Sequence, residues 1–187
     1  ITGAWSALDT GLNSTVYAIT VAAADEVYIG GQFTDAGGDG NADYIACWNG
    51  SAWSAIGPGT DGPVYALTLS GSDLYAGGSF TAAGGVADTG HIAMWDGLAW
   101  SALGGATLNT TVYAIAVDGT DIYVGGEFTD AGGTGADYIA LWNGAAWEQL
   151  GGDTEQPNYA VTALLLEGTN LYIVGNFWSE DGYLDAQ

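Results

Sequence analysis

The chain has 187 residues, 48% of them hydrophobic, and carries 22 Asp and Glu with no Lys or Arg, a formal charge of −22. Polyphosphates bind through cations that displace their counterions, so this composition excludes a nucleic-acid partner, along with arginine clamps, Schiff-base lysines and a polybasic membrane contact. Eight Trp and eleven Tyr give the core material that a disordered acidic chain lacks, and the chain is expected to fold.

The first segment, residues 1–8, reads Ile-Thr-Gly-Ala-Trp-Ser-Ala-Leu and matches what is read below as the fourth strand of a repeat. The repeat itself is fixed by Trp5, Trp53, Trp100 and Trp147, each followed three residues later by Leu or Ile, at a period of 47 or 48 residues. In the first complete unit, β-branched and aromatic residues between turn signals predict four short strands at about 16–21, 27–33, 44–48 and 52–56, and no helix is predicted. A polar turn closed by Asp25, Asp73, Asp121 or Asn170 joins the first two strands. Asn49-Gly50, Asp96-Gly97 and Asn143-Gly144 join the last two, and such dipeptides predict type I′ hairpins.

Four antiparallel strands per unit predict an all-β chain of β-propeller-type blades in one repeat domain. Blade 1 is expected at about 16–57, blade 2 at 64–104, blade 3 at 112–151 and blade 4 at 161–187, completed by residues 1–9 as its N-terminal strand. Closure within the chain would give a four-bladed ring, and completion of a neighbour's blade would give a polymer. Trp48, Trp95 and Trp142 with Phe33, Phe80 and Phe128 are the predicted filling between blades, and Gly30-Gly31, Gly77-Gly78 and Gly125-Gly126 the points of close approach. Tyr17, Tyr65 and Tyr113 are candidates for the central axis, and the outer-strand Trp5, Trp53, Trp100 and Trp147 are expected to pack on the adjacent blade.

Strand direction puts the second-to-third loops and the inter-blade loops on one face, with Asp9, Asp35, Asp39, Asp43, Asp61, Asp88, Asp130, Asp137, Asp153 and Glu155. That face is expected to be strongly negative. No cofactor is required by any motif, but Asp35, Asp39 and Asp43 lie in a Gly-rich acidic loop and are the candidate calcium ligands, without EF-hand spacing. A solvated acidic rim with diffuse counterions is the competing reading. Asn13 and Asn109 are candidate glycosylation sites, as equivalent Asn-x-Ser/Thr sequons, whereas Asn49 belongs first to its hairpin. His91 aligns with Tyr44 and Tyr138 and reads as a substituted structural aromatic, and Cys47 as an apolar strand position with no cation to activate it.

The combined Trp-x-x-Leu-Gly, Val-Tyr-Ala-Leu, Leu-Tyr-x-Gly-Gly-x-Phe-Thr and Ile-Ala-x-Trp elements resemble the repeats of large secreted bacterial β-propeller proteins, and those of kelch-like and fungal cell-polarity surface proteins. The resemblance covers residues 4–177 and implies an exported, non-catalytic surface or adhesion role. The last unit departs from it at Trp178-Ser179-Glu180-Asp181. Loss of Lys and Arg with abundant Gly, Thr and Ala also suits an extracellular or cell-surface protein, and Ile1 in place of an initiator Met suggests a processed or partial chain. No apolar run is long enough to cross a membrane as a helix, so no membrane insertion is expected.

Three functions fit these residues. One is a structural or adhesive subunit, self-associating in a filament or surface assembly. Another is a module binding surface glycans or calcium. The third is a carboxylate-dependent glycoside hydrolase, which finds no singular acid in the sequence.

Overall fold

The computed structural model describes residues 7–23, 25–105, 107–151 and 156–177, where the regular secondary structure is all β-strand. One antiparallel sheet contains β1 (Val16–Ala23), β2 (Glu26–Gly31), β3 (Ile45–Trp48) and β4 (Trp53–Ala55) in sequence order. A second contains β5 (Val64–Ser70), β6 (Asp73–Gly78), β7 (Ile92–Trp95) and β8 (Trp100–Ser101). A third contains β9 (Val112–Asp118), β10 (Asp121–Gly126), β11 (Ile139–Trp142) and β12 (Trp147–Gln149), and β13 (Val161–Glu167) pairs with β14 (Asn170–Gly175). These are the predicted propeller-type blades. The expected remainder of blade 4, from Trp178 onward and from residues 1–6, lies outside the described residues, as do Asp153 and Glu155.

Local chemistry explains where the strands end. The second strand stops at Gly31, two residues before the predicted end, because Gln32 N–H crosses a bulge to donate to Thr15 O at 2.9 Å. Phe33 then turns into the core with Phe80 and Phe128 as its counterparts, all three fully buried. The third-to-fourth turns are not type I′. Gly50, Gly97 and Gly144 take positive φ values of 92°, 93° and 88°, but Asn49, Asp96 and Asn143 do not. Their side chains instead accept backbone amides: Asn49 Oδ1 takes Ser51 N and Ala52 N at 3.0 Å each, and Asp96 Oδ1 takes Leu98 N and Ala99 N at 2.8 Å. A side-chain acceptor thus replaces the second left-handed residue.

Successive blades meet through a valine placed on a glycine. A Cβ on Gly30, Gly77 or Gly125 would lie 2.5, 2.5 and 2.6 Å from a methyl of Val64, Val112 and Val161 of the next blade. Within each blade the glycine that ends the second strand is equally constrained, since a Cβ on Gly31, Gly78, Gly126 or Gly175 would lie 2.1 Å from the carbonyl oxygen of Thr15, Pro63, Thr111 or Ala160. The predicted close approaches are therefore present, one to a neighbouring side chain and one to backbone.

The outer-strand tryptophans join the same interfaces. Trp100 Nε1 donates to Ile56 O and Trp147 Nε1 to Leu103 O, each at 3.2 Å, so each ring ties its blade to the end of the preceding one. Trp53 makes the equivalent bond to Leu8 O. Each ring also packs against its cross-strand partner, Trp48, Trp95 or Trp142, with centroids 5.3 to 5.6 Å apart. Trp48, Trp95 and Trp142, predicted as filling between blades, are partly buried, with Trp95 and Trp142 against Gly57 and Gly104 at the end of the preceding blade, while the outer tryptophans are buried.

Candidate functional site

Two surfaces are candidates, the loop face predicted to be acidic and the inner wall formed by the first strand of each blade. On the loop face the three predicted calcium ligands serve the loop itself. Asp35 Oδ1 accepts Gly38 N at 2.7 Å, and Asp39 Oδ1 accepts Asn41 N at 3.0 Å and Asn41 Nδ2 at 3.1 Å. Those bonds from Asn41 hold the Asp39 carboxyl below its ordinary range. Asp43 keeps one carboxylate oxygen buried without a hydrogen-bond partner. Among the described residues, no three His, Cys, Asp or Glu side chains come together in a set able to hold a metal, so Asp35, Asp39 and Asp43 are not brought into one centre.

The two sequon asparagines occupy equivalent clamps on the second-to-third loop. Asn13 Oδ1 accepts Thr34 N at 2.9 Å while its Nδ2 donates to Thr34 Oγ1 at 3.0 Å; Asn109 does the same with Thr129, at 2.9 Å for both bonds. Blade 2 uses Asp61, which accepts Thr81 N, Ala82 N and the Thr81 hydroxyl at 2.7, 2.9 and 2.5 Å. Burial opposes ionisation of Asp61, but these three bonds outweigh it and hold its carboxyl below the ordinary range.

These clamps contribute to stability. Asn109→Ala is expected to cost about 1 kcal/mol, the usual worth of a lost side-chain clamp, whereas Asn109→Asp should be tolerated at neutral pH because Asp61 already fills the same site. Because the folded-state pKa of Asp61 is depressed, its contribution is complete above the unfolded-state value and disappears as pH falls through the folded one. The Asn109→Asp protein should therefore lose stability more steeply on acidification than the parent, as read by thermal melts from neutral to strongly acidic pH.

The inner wall carries a row of tyrosines. Tyr17 and Tyr65 have ring centroids 5.1 Å apart, and Tyr65 and Tyr113 5.5 Å, all tilted. Polar side chains from the residue after two of the Gly-Gly pairs accompany them: Ser79 Oγ lies 3.5 Å from Tyr65 OH, and Glu127 hydrogen-bonds Tyr113. Burial, together with the Glu127 carboxylate, pushes Tyr113 up to about 12. The predicted axial tyrosines are thus brought together. Ser79 and Glu127 escape a reading of the sequence alone, although the variable residue inside an otherwise repeated Gly-Gly-x-Phe motif is the signal that marks them.

His91 stands where it is expected, in the role of Tyr44 and Tyr138. Its N–H donates to Phe80 O at 3.0 Å, as Tyr44 N does to Phe33 O at 2.8 Å and Tyr138 N to Phe128 O at 2.7 Å. Tyr44, His91 and Tyr138 all take left-handed φ values, 61°, 68° and 62°, which no sequence signal announces. Burial lowers the His91 pKa and keeps the imidazole neutral near neutral pH, while burial raises the Cys47 thiol and keeps it protonated.

The fold and these surfaces define an all-β protein of propeller-type repeats. Its fold is similar to that of the computationally designed Ika4 protein, at 16% identity with a TM-score of 0.57 over 97% of each chain. It is also similar to the computationally designed Ika8 protein, at 18% identity with a TM-score of 0.54, where 95% of this chain spans 52% of that one. No protein-family model and no curated protein matches the chain.

Proposed function

We propose that this chain is a non-catalytic structural or adhesive repeat protein of the extracellular space, associating with other subunits through the ends of its blade array. The observation that carries this reading is the pair of open apolar flanks. Ile19 is 68% exposed at one end, whereas its counterparts Leu67 and Ile115 pack into the junction with the preceding blade, and Leu165 is 63% exposed at the other. Support for a non-catalytic role comes from the carboxylates described above, which serve as acceptors that brace the loops. Calcium remains a proposed bridge between acidic loop faces rather than an internal ligand.

Subunits of charge −22 repel one another at low ionic strength, so association should rise with salt or divalent cations. Light scattering over a concentration series, in low salt, high salt and calcium, should show that rise. A strict monomer under every condition overturns the reading. A second reading, glycan binding, is favoured by the Tyr17, Tyr65 and Tyr113 row with its polar neighbours, since sugar faces stack on such rings. Capture of the monomer by an immobilised glycan array would support it.

A further inference from the structure

The strand register aligns the four blades residue by residue. Gly30 pairs with Ala18, Gly77 with Ala66, and Gly125 with Ala114, each one step inside a bulge. In the last blade the residue paired with Ala163 at the same step is Val174. The first three positions are the seats on which Val64, Val112 and Val161 of the following blade rest. The fourth seat is already filled by a side chain of its own. At the other end of the array the knob that would follow is Val16, which is 38% exposed where Val64, Val112 and Val161 are fully buried. Val174 itself is 61% exposed.

Resting on the flank reading above, we propose that this position selects what can stack on a blade, glycine admitting the next valine and Val174 refusing it. The β1 flank, with Val16, Ile19 and Val21, is then a socket for a propeller blade that bears glycine at the seat. The chain's own last blade is refused at this seat, whether it approaches within the same molecule or from a second copy, so the self-association proposed above joins like ends rather than first blade to last. Geometry enforces the choice. A Cβ at any of the three occupied seats would stand 2.5 to 2.6 Å from the incoming methyl, far inside contact distance, and valine adds two methyls beyond its Cβ. The interface repeated three times along the array supplies the shape of the occupant, and Val174 supplies the reason that the open ends do not satisfy each other.

The glycine-bearing blade can be supplied by the protein itself. Val174→Gly converts the last blade into the stated partner, and at micromolar concentration in high salt it should either stack head to tail into larger species by sedimentation velocity or close on itself. In both cases amide hydrogen exchange across residues 16–23 should slow relative to the parent. Val174→Ala keeps the Cβ and should behave as the parent. Val174→Gly combined with Val16→Asp should lose the gain. Equal behaviour of the Gly and Ala variants, or a Gly variant with unchanged sedimentation and unchanged exchange, overturns the proposal while leaving association by other contacts intact. Far-UV circular dichroism checks the folding of each variant. Should Val174→Gly not fold, Val16→Gly empties the same space from the socket side and must restore stacking; failure there also overturns it.

Discussion

Gly78→Ala should destabilise the protein by about 3 kcal/mol, the upper part of the range for forcing extra volume into a packed site. The added Cβ would lie 2.1 Å from Pro63 O and 3.0 Å from a ring carbon of Phe80, and the carbonyl belongs to backbone that closes the sheet. Neither atom can retreat without opening the β5–β6 pairing, in which Gly78 opposes Val64, the valine resting on Gly30 of blade 1. For a chain of this length that loss lowers the melting midpoint by on the order of 10 °C. Gly40→Ala is the control. Gly40 has ordinary φ, and nothing lies within 4 Å of the place its new methyl would take, so the substitution should be neutral or slightly stabilising. Thermal melts followed by far-UV circular dichroism compare the two directly, and a Gly78→Ala protein as stable as Gly40→Ala would remove the close-approach account of the blades.

Trp100→Ala should cost about 4 kcal/mol, the value typical of a large buried aromatic removed from a core. The ring is 4% exposed, packs on Trp95 with centroids 5.5 Å apart, and covers Gly84. Its indole N–H bonds Ile56 O across the junction between blades 1 and 2. Trp100→Phe keeps most of the packing and loses that bond, so it should cost less than half as much, since the Ile56 carbonyl still accepts Gly59 N at 3.0 Å. Stacked repeats couple through nearest-neighbour interfaces, and a weakened junction should also lower the denaturant m-value as the array stops unfolding as one unit. Urea titrations of the two variants and the parent test both statements; equal losses for Ala and Phe would mean that the hydrogen bond, not the ring, ties the blades together.

Repetition made much of this architecture legible in the residues alone. The first strands begin at Val16, Val64 and Val112 as expected, because a β-branched and aromatic alternation bounded by Gly and Asp has one reasonable local solution. The Gly pairs announced close approach, and the tyrosines of the first strands announced the inner wall. Local signals failed where the outcome depended on a distant partner. Asn49 could not reveal whether its turn would use a second left-handed residue or a side-chain acceptor, since both satisfy the same Asn-Gly sequence. The left-handed Tyr44, His91 and Tyr138 are held by the carbonyls of Phe33, Phe80 and Phe128 on the preceding strand ends, and such strain persists only when the surrounding structure fixes it.

The candidate sites divide in the same way. Asp35, Asp39 and Asp43 share a loop in sequence, and the first two carboxylates accept the Gly38 amide and the Asn41 donors of that loop. Asn13 and Asn109 carry a sequon by residue type, but their role as loop clamps needs Thr34 and Thr129, across the blade from each. Composition and period by themselves determined an acidic, all-β repeat protein and the seats between its blades, because charge, alternation and turn chemistry are properties of neighbouring residues. Tertiary structure alone decided which valine rests on each glycine, and that Val16 stands 38% exposed where Val64, Val112 and Val161 are fully buried, because those contacts join residues of different blades and exist only once register and packing are set.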